Sequence, residues 1–161
     1  MSSMSGVSNN GQLHQVFVYG SLLANELLGV LLSRIPASSS STLYGFHRFS
    51  ILGRVYPAIL PVNGKKVSGK LLGLQVLFDI TDTELDILDK FEDFEYERKP
   101  VTVSLPGNGK ELTAFSYLWH NKEDPNLYGD WNYEVVVFTN LRRLRCASFF
   151  KRDTRGGDSM F

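Results

Sequence analysis

Val16-Phe17-Val18-Tyr19-Gly20-Ser21-Leu22 organises the chain. Its first four residues are β-branched or aromatic, the pattern of a buried strand. Gly20-Ser21 ends that strand, and the Leu-rich stretch from Leu22 to Leu32 reads as a helix that closes before Pro36. Where a strand turns directly into a helix, successive backbone N–H groups point outward and can hold a carboxylate or phosphate. Gly20 lets such a ligand come close to the main chain. A nucleophilic role for Ser21 has little support, because the G-x-S-x-G pattern is not met and no partner histidine is evident.

Working outward, Ala37 to Ser41 is a small-residue stretch with four consecutive serines and reads as a surface loop. Leu43 to Leu52 reads as a strand bent at Gly45, Tyr56 to Pro61 as a short segment flanked by prolines, and Val62-Asn63-Gly64-Lys65 as a turn. Val67 to Phe78 is one strand, or two, interrupted by glycines. Thr81 followed three positions later by Glu84 is a capping box, and predicts a helix from Asp82 to about Asp93. Val101, Val103 and Leu105 alternate with polar residues, Pro106-Gly107-Asn108-Gly109 is a turn, and Leu112 to Trp119 is a strand with Phe115, Tyr117 and Trp119 on one face. Strands dominate without regular βαβ alternation, which predicts an α+β fold with a strongly curved sheet or small barrel.

Composition narrows the function. The 161 residues suit one domain and are 43% apolar, a globular composition. Lys plus Arg and Asp plus Glu are 17 each, so the chain lacks the basic excess of a nucleic-acid-binding domain. Cys146 is the single cysteine, which excludes an intramolecular disulfide and a multi-cysteine zinc site, and fits a reducing compartment. His14, His47 and His120 lack metal-ligand spacing, and no phosphate-binding glycine motif occurs. Residues 1–15 are Ser-, Asn- and Gly-rich without an apolar core, and read as a disordered lead-in rather than a secretory signal. No run reaches about 18 apolar residues, so no membrane span is expected and the predicted location is cytoplasmic.

One carboxylate stands apart. At about 100° per residue, Leu85, Leu88 and Phe91 share a helical arc, while Asp82, Asp86, Asp89 and Asp93 fall on the opposite side, toward water. Glu92 follows Leu88 by four positions and Leu85 by seven, so it lies within the apolar arc. Desolvation there suits a general base or acid. Periodicity alone leaves a second reading open, in which Glu92 reaches water from a frayed helix end. The acidic residues Asp93, Glu95 and Glu97 read as a solvated loop with which Arg98 could pair.

In order, the chain carries Phe17-Val18-Tyr19-Gly20-Ser21-Leu22, Gly45-Phe46, Gly53-Arg54-Val55-Tyr56-Pro57-Ala58, Gly69-Lys70 and Leu88-Asp89-Lys90-Phe91-Glu92-Asp93. Tyr96-Glu97-Arg98, Tyr117-Leu118-Trp119 and Leu127-Tyr128-Gly129-Asp130-Trp131 follow. This set resembles the gamma-glutamylcyclotransferase-like superfamily, and within it the plant avirulence-induced-gene-like branch, over about residues 16–134. The resemblance implies a small mixed β-barrel with flanking helices. It implies that Tyr19, Gly20, Ser21, Leu22, Leu23 and Ala24 bind substrate, with Tyr117 as a further partner, and that Glu92 accepts a proton. It implies a γ-glutamyl amine as the small-molecule substrate, cyclisation to 5-oxoproline with release of an amine, and no metal or organic cofactor. A catalytically weak module binding a small metabolite or a protein on the same scaffold is the alternative.

Two features depart from the pattern. Many members place glycine after the catalytic glutamate, where this chain has Asp93. Plant relatives usually continue with a charged amphipathic helix, whereas residues 135–161 here form a divergent basic tail with six Lys or Arg against two Asp or Glu.

Overall fold

The computed structural model describes residues 11–67 and 74–131. Most of the expected lead-in, the glycine-interrupted stretch 68–73 and the basic tail lie outside the described residues.

Strand β1 (His14–Val18) starts two residues before the expected domain boundary, because His14 pairs with Ile80. The expected helix from Leu22 is broken in two. Ser21–Leu23 form a 3-10 turn, and α1 spans Asn25–Leu32. Between them Ala24 is extended (φ −79°, ψ 114°), and its carbonyl accepts the N–H groups of Leu27 and Leu28 at 3.0 and 3.1 Å. An alanine supplies no side-chain cap, so the break has no signature in residue type.

The serine run is not a loop. Ser38–Ser40 form the edge strand β2, antiparallel to β5 (Gln75–Ile80). Its pairing uses main-chain groups and an already formed neighbour, which local propensity does not report. Strand β3 (Leu43–Ile51) bends where expected: Gly45 takes φ +82°, and the register against β4 (Ala58–Val67) shifts there. The expected turn at Val62–Lys65 bulges out within β4 instead of ending it. Pro61 faces Phe46 and Lys66 faces Tyr44, leaving those four residues opposite Gly45, with Gly64 at φ +80°.

Helix α2 (Asp82–Glu92) has the expected capping box: Glu84 N–H donates to Thr81 Oγ1 at 3.2 Å, and Thr81 N–H to Glu84 Oε1 at 3.1 Å. Leu85, Leu88 and Phe91 are buried as the helical arc requires. Strands β6 (Tyr96–Ser104), β7 (Glu111–Trp119) and the short β8 (Leu127–Tyr128) complete the described chain.

The expected α+β class with flanking helices holds; among the described residues the strands form two sheets that do not close, so the word barrel fits only loosely. One sheet has the order β2-β5-β1-β7-β6, the other β4-β3-β8. Among the described residues of the larger sheet, β1 and β7 pair in parallel and the other neighbours antiparallel. A bridge between Thr42 and Ser104 links the sheets. Phe17, Val76, Leu77, Ile59, Leu88 and Val103 are fully buried, so the core involves both sheets and α2. The C-terminal end of β1 therefore lies inside the molecule, and the turn that follows it is anchored in the core.

Candidate active site

The turn after β1 is built from the inside. Tyr19 is buried, and its hydroxyl donates to the carbonyl of Tyr117 on β7. Gly20 takes φ −143° and ψ −123°, outside both the helical and the extended regions. Space also favours glycine there: a Cβ would lie 2.7 Å from Cδ of Pro57. Leu23 N–H donates to Gly20 O at 2.9 Å and Ala24 N–H to Ser21 O at 3.2 Å. The N–H groups of Gly20, Ser21 and Leu22 thus stand outside the turn's own hydrogen bonds, while those of Leu23 and Ala24 build it. The side chains of Leu22 and Leu23 are buried in the core, so these residues face a ligand with main-chain groups at most.

Glu92 is the last residue of α2 and is half-buried. Its charge acts on three buried phenols from three parts of the fold. Burial pushes Tyr19 up, and the Glu92 carboxylate pushes it further. For Tyr96 the causes are burial, then Tyr19, then Glu92. For Tyr117 they are burial, then the hydrogen bond and charge of Asp89, then Glu92. All three stay protonated donors at neutral pH. The Glu92 carboxylate is therefore within electrostatic reach of Tyr19, Tyr96 and Tyr117.

Asp89 corrects the helical-wheel expectation. Asp82 and Asp86 are exposed as expected, and Asp86 pairs with Lys90 at 3.0 Å. Asp89 is half-buried against β7, accepts the Tyr117 hydroxyl at 2.6 Å and pairs with Arg98 at 3.0 Å. It precedes Glu92 by three residues, so the two carboxylates are neighbours on one face. Asp93 also turns from water: it is half-buried, and its Oδ1 accepts the Phe94 N–H at 2.8 Å. Arg98 thus serves Asp89, while Glu95 of the expected solvated cluster pairs with Arg54 and meets Tyr56.

The opposite wall comes from the stretch before β4. Tyr96 donates to the Pro57 carbonyl at 2.7 Å and packs edge-on against Trp119 at 5.1 Å. Pro57 thereby joins Gly20 on one side to Tyr96 on the other. Tyr19 and Tyr117 are joined by a hydrogen bond, and the charge of Glu92 bears on both. Sequence reasoning assigned no role to Tyr96 and Arg54, although both lie in the quoted motifs. It missed Asp89 because an aspartate off the apolar arc reads as solvent-facing.

The histidines are apart: His14 meets Asp82 at 2.6 Å, and His47 meets the Gly129 carbonyl at 2.8 Å. Among the described residues no group of three or more His, Cys, Asp or Glu could hold a metal ion. No helix among them is long and apolar enough to cross a membrane.

Residues 16–133 match the family model described as Gamma-glutamyl cyclotransferase, AIG2-like. AIG2-like protein D of Arabidopsis thaliana is 54% identical over 129 residues, covering 80% of this chain and 82% of that protein. The solution structure of another Arabidopsis thaliana protein superposes with a TM-score of 0.67 at 36% identity, covering 95% of this chain and 99% of that one. A solved gamma-glutamyl cyclotransferase superposes with a TM-score of 0.58, covering 92% of this chain and 90% of that one; its 18% identity carries the fold alone. With a matched segment that contains the Tyr19 turn, Glu92 and all three tyrosines, the chain belongs to the gamma-glutamyl cyclotransferase, AIG2-like family.

Proposed function

We propose that the protein is a gamma-glutamylcyclotransferase that converts a γ-glutamyl amine to 5-oxoproline and a free amine, with Glu92 as proton acceptor. The observation that carries this reading is the half-buried Glu92 at the end of α2, within electrostatic reach of Tyr19, Tyr96 and Tyr117, with Tyr19 bonded to the Tyr117 carbonyl and the Tyr117 hydroxyl to Asp89 of the same helix. The substrate's α-ammonium cannot attack until it loses a proton, and Glu92 takes it. The free α-amine then attacks the γ-carbonyl of the same molecule. The new C–N bond closes a five-membered ring, the leaving nitrogen collects the proton held on Glu92 as the γ-amide C–N bond breaks, and the ring nitrogen gives its second proton to the regenerated Glu92 carboxylate, which passes it to the released amine. The N–H groups of Gly20, Ser21 and Leu22 hold a substrate carboxylate or carbonyl oxygen. The Tyr117 hydroxyl donates its hydrogen bond to Asp89, which leaves its oxygen lone pairs to accept one from a substrate ammonium. Nucleophile and carbonyl already belong to one molecule, so the gain from the site lies in holding the conformer that brings them into line.

The test is 5-oxoproline release from a panel of γ-glutamyl dipeptides, γ-glutamyl amines and glutathione, with Glu92→Gln as control. Release by wild type and a loss of at least a hundredfold in Glu92→Gln are expected, since general-base catalysis is worth about 10²–10⁴. No release by folded wild type, or full activity in the variant, overturns the reading and leaves a γ-glutamyl-binding module as its successor.

A further inference from the structure

Arg48 lies in the middle of β3, half-buried, and no carboxylate forms an ion pair with it among the described residues. Burial lowers its pKa to about 10, with the nearby Tyr19 and Asp130 opposing that effect. Its Nη1 donates to the Tyr19 carbonyl at 2.7 Å. Its guanidinium carbon lies 4.9 Å from the centre of the Trp131 ring. A desolvated guanidinium satisfied by one carbonyl and a ring face is costly to keep unless its position matters.

The segment that covers it is the Leu127-Tyr128-Gly129-Asp130-Trp131 motif, which the reaction above does not use. Strand β8 pairs with the end of β3, and His47 and Ser50 then hold the carbonyls of Gly129 and Asp130. Trp131 N–H donates to the Arg48 carbonyl at 3.2 Å, and its indole Nε1 donates to the Val55 carbonyl at 2.9 Å. Trp131 therefore braces both Arg48 and the stretch leading to Pro57, the residue packed on Gly20.

The Tyr19 carbonyl belongs to the same peptide unit as the Gly20 N–H. No peptide bond among the described residues is cis, so that N–H points away from Arg48. A cation on the carbonyl also polarises the unit and strengthens its N–H as a donor. We propose that Arg48, held under Trp131, is a positioning residue that fixes and polarises the Tyr19–Gly20 peptide so that the Gly20 N–H receives the substrate carboxylate. The inference rests on the cyclotransferase reading for its substrate, but not for its geometry.

The test uses the full chain with Arg48→Met, which keeps an unbranched apolar stem, and Arg48→Lys, which keeps the charge without the fork. Thermal unfolding establishes that each is folded. With the panel substrate released fastest by wild type, Arg48→Met raises KM about tenfold or more and leaves kcat within about twofold, because a carboxylate held equally in ground and transition states affects KM alone. Arg48→Lys recovers part of the rise, and it carries the comparison if Arg48→Met does not fold. An unchanged KM, or a kcat that falls by as much as KM rises, overturns the proposal. If folded wild type turns over no panel compound, the cyclotransferase reading fails on its own. The Gly20 amide resonance of 15N-labelled protein then decides the positioning role. Titration with 5-oxoproline, itself a carboxylate, shifts it in wild type and not in Arg48→Met; equal shifts, or none in wild type, overturn the proposal.

Discussion

Asp93 stands at φ +68°, ψ −170°, a region that only glycine occupies without strain. The turn from α2 into β6 needs that conformation immediately after Glu92, which explains physically why a glycine would suit the position. Asp93→Gly is expected to raise stability by about 1 kcal/mol, less than the full strain because the unfolded chain gains freedom. Chemical denaturation, or a rise in Tm of roughly 2–4 °C, checks it. Gly20 shows a different case, in which a crowded place leaves no room for a side chain. Gly20→Ala must displace either the Pro57 ring or the turn, and is expected to cost about 1–3 kcal/mol as overpacking and to weaken substrate binding. Unchanged stability together with unchanged KM would show that the turn yields without consequence. Glu92 was legible because it breaks an apolar arc. Asp89 was not, since its partners Tyr117 and Arg98 come from other strands and periodicity within one helix contains neither.

Helix α2 is the element whose sequence says most. Its cap, its buried arc and its end at Glu92 are all written locally, because helix signals recur within a few residues. The serine strand β2 and the break at Ala24 depend on neighbours elsewhere in the chain, and no local pattern marks them. Glu84 joins the two kinds of information. It completes the capping box, and the Arg34 side chain before β2 grips both its oxygens at 2.6 and 2.7 Å. That hydrogen bond from Arg34 is the main reason its carboxyl titrates below the usual carboxylate range, against the opposing effect of burial. The folded pKa is depressed, so the pair stabilises the fold above the unfolded pKa of about 4.3, and the contribution is lost as pH falls through the folded value. Glu84→Gln is expected to cost about 1 kcal/mol at pH 7, discounted for the partly exposed Arg34. Its deficit relative to wild type shrinks in acid. Urea unfolding at pH 7 and pH 3 measures both, and a deficit independent of pH would mean that packing, not charge, holds the helix to Arg34.

At the scale of the molecule, the candidate site is a seam. The end of β1 and the turn after it, the end of α2, the neighbouring strands β6 and β7 and the stretch before β4 all contribute groups to it, from well-separated parts of the sequence. Pro57 touches the Gly20 turn with its ring and takes the Tyr96 hydroxyl on its carbonyl, so a ligand held there would clamp several elements at once. A ligand that binds only the folded state stabilises it by RT ln(1 + [L]/Kd), about 2.7 kcal/mol at a hundredfold excess over Kd. For a domain of this size that corresponds to a rise in Tm of roughly 5–10 °C. Glu92→Gln removes the proposed proton acceptor but keeps the turn, so on that proposal it shows the full shift with the best γ-glutamyl substrate and releases no 5-oxoproline. Binding and turnover then separate in one protein. A shift in wild type that disappears in Glu92→Gln would mean that the carboxylate binds the substrate ammonium more than it moves its proton. A shift of equal size in both proteins, without release by either, would make the seam a receptor for γ-glutamyl compounds, because clamping these elements around a ligand requires no reaction.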